Sequence, residues 1–237
     1  MNLLLNTLLA VGVACVTSLA HSQAASPASA PVQQQAAGPA AGGVTMESKV
    51  AMCMGCHNIR GYRGSFPEVY RVPMIAGQGA KYIAAALHAY KNGDRKHPTM
   101  RGIATSLTDQ DIDAIAAYYE GLPKDEVKPL PEKQARQPNT RVAGLLQKAA
   151  CVSCHGANFS KPIDPSYPKI AGQHADYVFA ALKAYKTENN PAIGRNNGVM
   201  GAIAKQFSNA ELKDLAAYVG SLDSELRVHP ESRFHRR

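Results

Sequence analysis

The second half of the chain repeats the first, and this internal repeat limits the possible folds more than any other feature. CMGCH at 53–57 has a partner in CVSCH at 151–155. Two further pairs of matching segments start at Pro73 and Pro168, and at Met100 and Met200. The offsets between partners are 98, 95 and 100 residues, so the copies differ mainly in loop length. A repeat of this kind predicts two tandem domains with one fold.

The repeat units also set the predicted domain limits. We place the first domain at 44–122 and the second at 140–226, joined by a proline-rich linker over 123–139. Residues 25–43 are rich in Ala, Gln and Pro and have neither charge nor apolar periodicity, which is typical of disorder. The chain ends in a basic tail over 227–237, which contains four arginines.

The predicted fold class is all-α, with three helices and long loops in each copy. The first helix should end at the CxxCH, with Thr45 as N-cap in one copy and Thr140 or Asn139 in the other. The third helix should begin with a capping box and end at glycine: Thr108 with Asp111 and Gly121, then Ser208 with Glu211 and Gly220. A glycine-rich loop should carry Met200 just ahead of it. No alternation typical of a β-hairpin is present.

The amino terminus indicates export. Residues 3–20 form an uncharged, mostly apolar run, and a small-x-small sequence follows at 22–24. This pattern predicts a signal peptide over 1–24 and a periplasmic location. A retained membrane anchor is the alternative, because 18 residues is the lower limit for a membrane-spanning helix.

The CxxCH motif is the attachment sequence of c-type haem. Two cysteines at i and i+3 lie on one side of a helical turn and can each add to a vinyl group of one porphyrin. The next residue, histidine, then reaches the iron. The sequence therefore predicts two covalently bound haems, held by Cys53, Cys56 and His57 and by Cys151, Cys154 and His155.

Two other uses of CxxC are weaker explanations. A thioredoxin-like redox motif lies in a βαβ setting, which the helical repeat lacks. A zinc site pairs two CxxC knuckles that usually lie within about 20 residues of each other. Here the two motifs lie 98 residues apart.

The second axial ligand of each iron has to come from further along the chain. Met200 is the only methionine after Met100, and these two residues are partners in the repeat. Met74 and His97 are rival ligands for the first iron. A thioether ligand raises the haem potential, whereas a second histidine would lower it.

Six further positions of the repeat have a predicted role beside the haem. The backbone carbonyls of Pro73 and Pro168 can accept a hydrogen bond from the Nδ1 of the haem histidine or, alternatively, belong to plain loop prolines. The other four are donors to haem propionates or, alternatively, packing residues: Gln78, Gln173, Tyr90 and Tyr185.

These motifs, present twice in the order CxxCH, PxIAGQ, YxxxxLxxY and a late Met, resemble the cytochrome c4 family. That family consists of periplasmic dihaem proteins with two class I cytochrome c domains. The resemblance covers about 180 of 237 residues. It implies iron ligation by His57 with Met100 and by His155 with Met200, and domains that pair through their haem edges. The first copy departs from the pattern with Asn58 after its motif and with an insert over 58–72.

The expected function is single-electron transfer between respiratory partners, without catalysis. The resemblance implies transfer towards a membrane terminal oxidase, and a quinol-oxidising complex is the expected partner on the other side. The alternative is a haem-bearing electron-transfer subunit of a periplasmic dehydrogenase. A dihaem peroxidase needs an iron that opens to substrate, and a matched Met in both copies argues against one.

The net charge of +8 does not indicate nucleic-acid binding. The positive charge is spread along the chain, export removes the nucleic acid, and four haem propionates would subtract about four charges. The basic tail leaves membrane association open.

Overall fold

The computed structural model describes residues 45–122 and 127–230, called here the first half and the second half. The predicted signal peptide or anchor, the segment 25–43 and the end of the basic tail lie outside these residues. The described residues are mostly helical, as predicted. No helix among them is long and apolar enough to cross a membrane.

The first half contains four helices and three strands of two residues each. In chain order they are α1 (Met46–His57), β1 (Arg63–Gly64), β2 (Tyr70–Arg71), α2 (Ala80–Asn92), β3 (Arg95–Lys96), α3 (Pro98–Thr105) and α4 (Asp109–Gly121). The second half contains five helices and one strand: α5 (Thr140–Ala149), α6 (Cys151–His155), α7 (Ala175–Lys186), β4 (Gly194–Arg195), α8 (Gly198–Ala204) and α9 (Asn209–Gly220).

Most of the predicted helix ends are confirmed. The side chain of Thr45 accepts from Ser48 N at the start of α1. At the start of α5 the cap is Asn139, so the alternative Thr140 is wrong. Both capping boxes form, and the helices they begin, α4 and α9, end at the predicted glycines.

Three features of the chain differ from the prediction. The helix before the second CxxCH is broken, because Ala150 has φ 50° and separates α5 from α6. Met100 and Met200 lie in short helices, α3 and α8, rather than in a loop. Four short strands form two antiparallel pairs, β1 with β2 and β3 with β4. Two-residue strands contain too little alternation for a sequence pattern to detect.

Each half has hydrophobic core clusters made only of its own residues. In the first half α2 packs against α3 and α4, and Ile112, Ile115 and Tyr119 are almost fully buried between them. In the second half α7 packs against α8 and α9, around Phe207, Leu212 and Leu215. Equivalent positions therefore build equivalent cores, which explains the repeat in the sequence.

The two halves are joined by strand pairing and by two buried glutamines. Strands β3 and β4 come from different halves, and Arg95 pairs with Arg195 in their ladder. Gln78 Nε2 donates to Lys169 O at 2.9 Å, and Lys169 N donates back to Gln78 Oε1 at 2.9 Å. Gln173 makes the same two bonds with the backbone of Met74, at 2.8 and 3.0 Å. We call these four bonds the glutamine clamp.

The described part of the linker lies against the second half. Gln134 is buried, and its Nε2 donates to Asn158 O at 2.9 Å and to Asp223 O at 3.1 Å. Beyond α9, Arg227 N donates to Ala76 O at 3.0 Å, so the start of the predicted tail reaches back to the first half. The start of the tail therefore adds a contact between the halves, whereas the linker packs within the second half.

Candidate haem sites

The two CxxCH histidines are oriented by the same contact. His57 ends α1, and its Nδ1 lies 2.8 Å from Pro73 O. His155 ends α6, and its Nδ1 lies 2.9 Å from Pro168 O. The contact predicted from the spacing is therefore present in both halves. It fixes the ring and leaves Nε2 as the free nitrogen, which is how a metal-binding histidine is normally held.

Both histidines are placed where the neutral ring is favoured. Burial lowers the pKa of His57 and His155, and the hydrogen bond to the proline carbonyl only partly offsets this effect. A neutral imidazole is the form that binds a metal.

All four cysteines of the two motifs are free and partly buried. Before a haem is attached, burial raises the pKa of the Cys53 and Cys151 thiols to about 11. In the described parts of the chain, no group of three or more His, Cys, Asp or Glu side chains is arranged to hold a metal ion.

A cavity of about 340 Å³ opens beside the first motif. Cys53, Cys56, His57 and Met100 all line it. Much of the remaining wall is apolar and includes Ile75, Ile83, Leu87, Ile103 and Ile115. A large apolar cavity with two thiols and a free imidazole nitrogen suits a flat macrocycle such as haem.

The polar end of this cavity also suits haem. Arg95 lines the cavity and is only 8% exposed, and its Nε has no hydrogen-bond partner. Among the described residues no carboxylate forms an ion pair with it. A buried cation normally has an anionic partner. A haem propionate would supply that anion, so the residues present fit the group.

The rival distal ligands also lie at this cavity, since Met74 and His97 both line it. His97 caps α3, and Met100 N donates to its Nδ1 at 3.3 Å. Asn197 caps α8 in the same way, with Met200 N donating to its Oδ1 at 2.9 Å. Because its repeat partner Asn197 is the N-cap of α8, the presence of His97 is explained by its role as the N-cap of α3.

The insert of the first copy covers part of the cavity. Its strands β1 and β2 form a hairpin, and Tyr62, Ser65 and Phe66 line the cavity wall. Asn58, the other departure in the first copy, is buried and accepts a hydrogen bond from the Tyr119 hydroxyl at 3.3 Å. Sequence patterns assign no role to Arg95 or to Asn58, because neither lies in a motif of known chemistry.

Comparison with known proteins identifies the family. The family model for cytochrome c matches residues 48–122 and 140–223. The chain belongs to the cytochrome c family. It is 30% identical to cytochrome c4 of Pseudomonas aeruginosa, over 93% of this chain and 98% of that protein. It is also 32% identical to a thiosulfate dehydrogenase electron acceptor of Stutzerimonas stutzeri, over 63% of this chain and 70% of that protein.

Solved structures give the same result. The structure of cytochrome c4 from Acidithiobacillus ferrooxidans superposes with a TM-score of 0.52 and 28% identity, over 73% of this chain and 99% of that one. A thiosulfate dehydrogenase from Marichromatium purpuratum superposes with a TM-score of 0.52 and 27% identity, over 75% of this chain and 38% of that one.

Three predictions from the sequence are thus confirmed. The chain resembles cytochrome c4, its fold consists of two mainly helical cytochrome c domains, and it binds two covalent c-type haems. It is a dihaem electron-transfer cytochrome. The limits of 44–122 and 140–226 for the two domains stay a prediction.

Proposed function

We propose that this cytochrome passes single electrons between two periplasmic redox partners and turns over no substrate of its own. The expected donor is a quinol-oxidising complex or a dehydrogenase, and the expected acceptor is a membrane terminal oxidase. The observation that carries the proposal is the matched pair of sites, each with a CxxCH, a histidine held through Nδ1 and a methionine at the same helical position.

The proposed axial ligands are His57 with Met100 and His155 with Met200. Each methionine is the third residue of its short helix, and the N-cap side chain holds its backbone N–H. The ring of His97 is occupied, since Nδ1 accepts from Met100 N. Burial lowers the pKa of His97, and a hydrogen bond with the Phe66 backbone opposes that shift. This engagement supports Met100 as ligand over His97.

A covalently bound haem supplies the one-electron change between ferrous and ferric iron. The chain supplies the rest. The four cysteines would hold the two haems, and the two histidines and two methionines would ligate the two irons. An iron with no open position offers nothing for peroxide to bind, which supports a carrier rather than a peroxidase.

Four single variants test the ligands, beginning with Met200→Ala. It should remove about half of the weak sulfur-to-iron absorbance band of the oxidised protein and lower one midpoint potential, because a thioether favours the ferrous state. Met100→Ala should remove the other half. His97→Asn is the matched control, since it gives the first half the cap of the second, and it should leave the band unchanged. Loss of the band in His97→Asn or in Met74→Ala would reassign the ligand.

The second candidate function is an electron-accepting partner or subunit of a dehydrogenase. Relatives from S. stutzeri and Thiomonas intermedia are described as thiosulfate dehydrogenase electron acceptors. Stopped-flow mixing separates the two candidates. We expect rapid oxidation of the reduced protein by membranes that contain a terminal oxidase, and negligible consumption of peroxide. Reduction by thiosulfate dehydrogenase with no transfer to membranes would favour the second candidate.

Location can be tested separately. We expect the mature chain to begin near Ala25 in the periplasmic fraction. Amino-terminal sequencing of purified protein that begins at Met1 would instead show a retained anchor.

A further inference from the structure

Two arginines, one from each half, meet at one tyrosine hydroxyl; Arg95 is buried and Arg195 is half-buried. Arg95 Nη2 donates to the hydroxyl oxygen of Tyr177 at 3.0 Å, and Arg195 Nη2 donates to the same oxygen at 3.1 Å. The two arginines are paired residues of the β3–β4 ladder. Tyr177 itself lies in α7 and lines the cavity of the first half. The Tyr177 hydroxyl thus links one arginine from each half at the cavity of the first haem site.

The arginines are held in a stack of tyrosine rings. The Arg95 guanidinium lies 4.9 Å from the ring centroid of Tyr90, and that of Arg195 lies 5.3 Å from the centroid of Tyr185. Cation–π contacts of this kind stabilise a desolvated cation. In the described chain neither arginine forms an ion pair with a carboxylate. The carboxylate of Asp176, the residue before Tyr177, instead accepts hydrogen bonds from Arg71 Nε.

The arrangement breaks the symmetry of the repeat. Tyr82 is the partner of Tyr177 in the first copy, and it also lines the cavity. The Arg95 guanidinium lies 5.8 Å from its ring. Among the described contacts, however, the Tyr82 hydroxyl receives no hydrogen bond from either arginine. Tyr82 therefore serves as an internal comparison for Tyr177.

We propose that Tyr177 is a redox-linked proton site that positions Arg95 and Arg195. On oxidation, the Tyr177 hydroxyl releases its proton to water while one electron leaves a ferrous iron for the redox partner. On reduction, the phenolate takes up a proton from water as the electron arrives. The proposal rests on the two covalent haems and on no particular partner.

The charges around the hydroxyl favour this step. Burial raises the pKa of Tyr177, but the guanidiniums of Arg195 and Arg95 together more than offset it and bring the pKa to about 8. A ferric iron adds a positive charge in the same cavity and lowers that pKa further. The Nε of Arg95 stays free for a propionate while its Nη2 holds the phenolate. The titratable and charged groups that surround Tyr177 are Tyr70 of β2, Tyr82 and Tyr90 of α2, Arg95 of β3, Asp176 and Tyr185 of α7, and Arg195 of β4.

The test uses the intact dihaem protein in each redox state. Tyrosinate absorbance is measured against pH in native protein, Tyr177→Phe and Tyr82→Phe. We expect native ferric protein to show one tyrosine titrating near pH 8 or below, and ferrous protein to show it at higher pH. Tyr177→Phe should lose this step, and Tyr82→Phe should retain it. The midpoint potentials of native protein and of Tyr82→Phe should fall as pH rises through about 8, and those of Tyr177→Phe should stay level there.

Each other outcome overturns the proposal. A native protein in which no tyrosine titrates below about 10, the ordinary value, has no such proton site. If the tyrosine titration step survives in Tyr177→Phe, or disappears in Tyr82→Phe, a group other than Tyr177 releases the proton. If Tyr177→Phe does not assemble with both haems, the tyrosinate titrations of native protein decide alone. A tyrosine that titrates at the same pH in the ferric and the ferrous protein then rejects the link between proton release and oxidation. Electron transfer to a partner is not measured, so this result is independent of the partner proposed above.

Discussion

The turn at the end of the CxxCH helix has different contacts in the two domains. In the second domain Gly156 has φ 80°, and a Cβ there would collide with the backbone of Lys161. In the first domain Asn58 stands at that position with φ −100° and is bonded to Tyr119. Val219 takes the place of Tyr119 in the second domain. The residue after the haem histidine therefore has a close backbone neighbour in one domain and a side-chain hydrogen bond in the other.

The insert is the larger difference between the domains. Its hairpin reaches the second domain, where Arg71 Nε donates to Asp176 Oδ2 at 3.1 Å and Glu68 pairs with Lys183 at 2.5 Å. It also covers the first cavity with Tyr62 and Phe66. An insertion in one copy of a repeat thus contributes both to a haem wall and to the domain contact.

The largest effect should come from Gly156→Ala. A side chain at this positive φ, in collision with a backbone carbonyl, should lower the free energy of unfolding by about 3 kcal/mol. The second haem should then be incorporated poorly. Guanidinium denaturation and haem content measure the effect.

Gly55→Ala is the control, because it lies in helix α1 with nothing within 4 Å of its added Cβ. It should change the free energy of unfolding by less than about 1 kcal/mol. Equal effects of the two variants would show that the collision and the positive φ at Gly156 are not what costs stability.

The glutamine clamp should respond equally on its two sides. Gln78→Ala or Gln173→Ala leaves a backbone N–H and C=O of the other domain without partners, which should cost about 2 kcal/mol. The two variants should agree within about 0.5 kcal/mol, and double-mutant analysis should show coupling between domains. Gln206→Ala, in the exposed turn that follows α8, is the control and should be near neutral. Unequal losses would break the symmetry inferred for this contact.

Tyr119→Phe tests the contact that replaces the glycine turn. The variant removes the donor to Asn58 Oδ1 in a buried setting, so unfolding should become easier by about 1 kcal/mol. Tyr218→Phe in the second domain removes a hydroxyl that donates to Arg136 O at an exposed site, and it should cost less. Thermal unfolding compares them, and a larger loss in Tyr218→Phe would contradict the argument.

Apart from the controls, the smallest effect should come from Asp176→Asn, which weakens the hairpin contact. At neutral pH we expect a loss of about 0.5 kcal/mol, because the ion pair is partly exposed. Burial raises the pKa of Asp176, but its hydrogen bonds from Arg71 outweigh burial and hold the pKa below 3.8. The stabilisation is thus present above 3.8 and is lost as pH falls through the lower, folded-state value. The difference between native protein and variant should shrink in acid.

Asp214→Asn removes a more exposed pair with Arg141 within the second domain and should have less effect at any pH. Denaturation at several pH values makes the comparison. A gap that widens on acidification would contradict the assigned sign.

Local signals in the sequence determined much of this protein. The caps Thr45, Thr108 and Ser208 act over three residues, so the helix starts could be read from the chain. The two CxxCH motifs predicted the haems, and the spacing to Pro73 and Pro168 predicted how the histidines are held. The repeat predicted two domains of one fold.

Tertiary structure decided the contacts between distant residues. From the sequence, Gln78 and Gln173 are either propionate donors or packing residues. In the structure they hydrogen-bond to the other domain, to residues 91 and 99 positions away in the chain. The break at Ala150 has no local signal, because alanine normally favours a continuous helix. The meeting of Arg95 and Arg195 at Tyr177 depends on which faces of two folded domains touch. Such contacts join residues about one domain apart, so no pattern along a short stretch of sequence contains them.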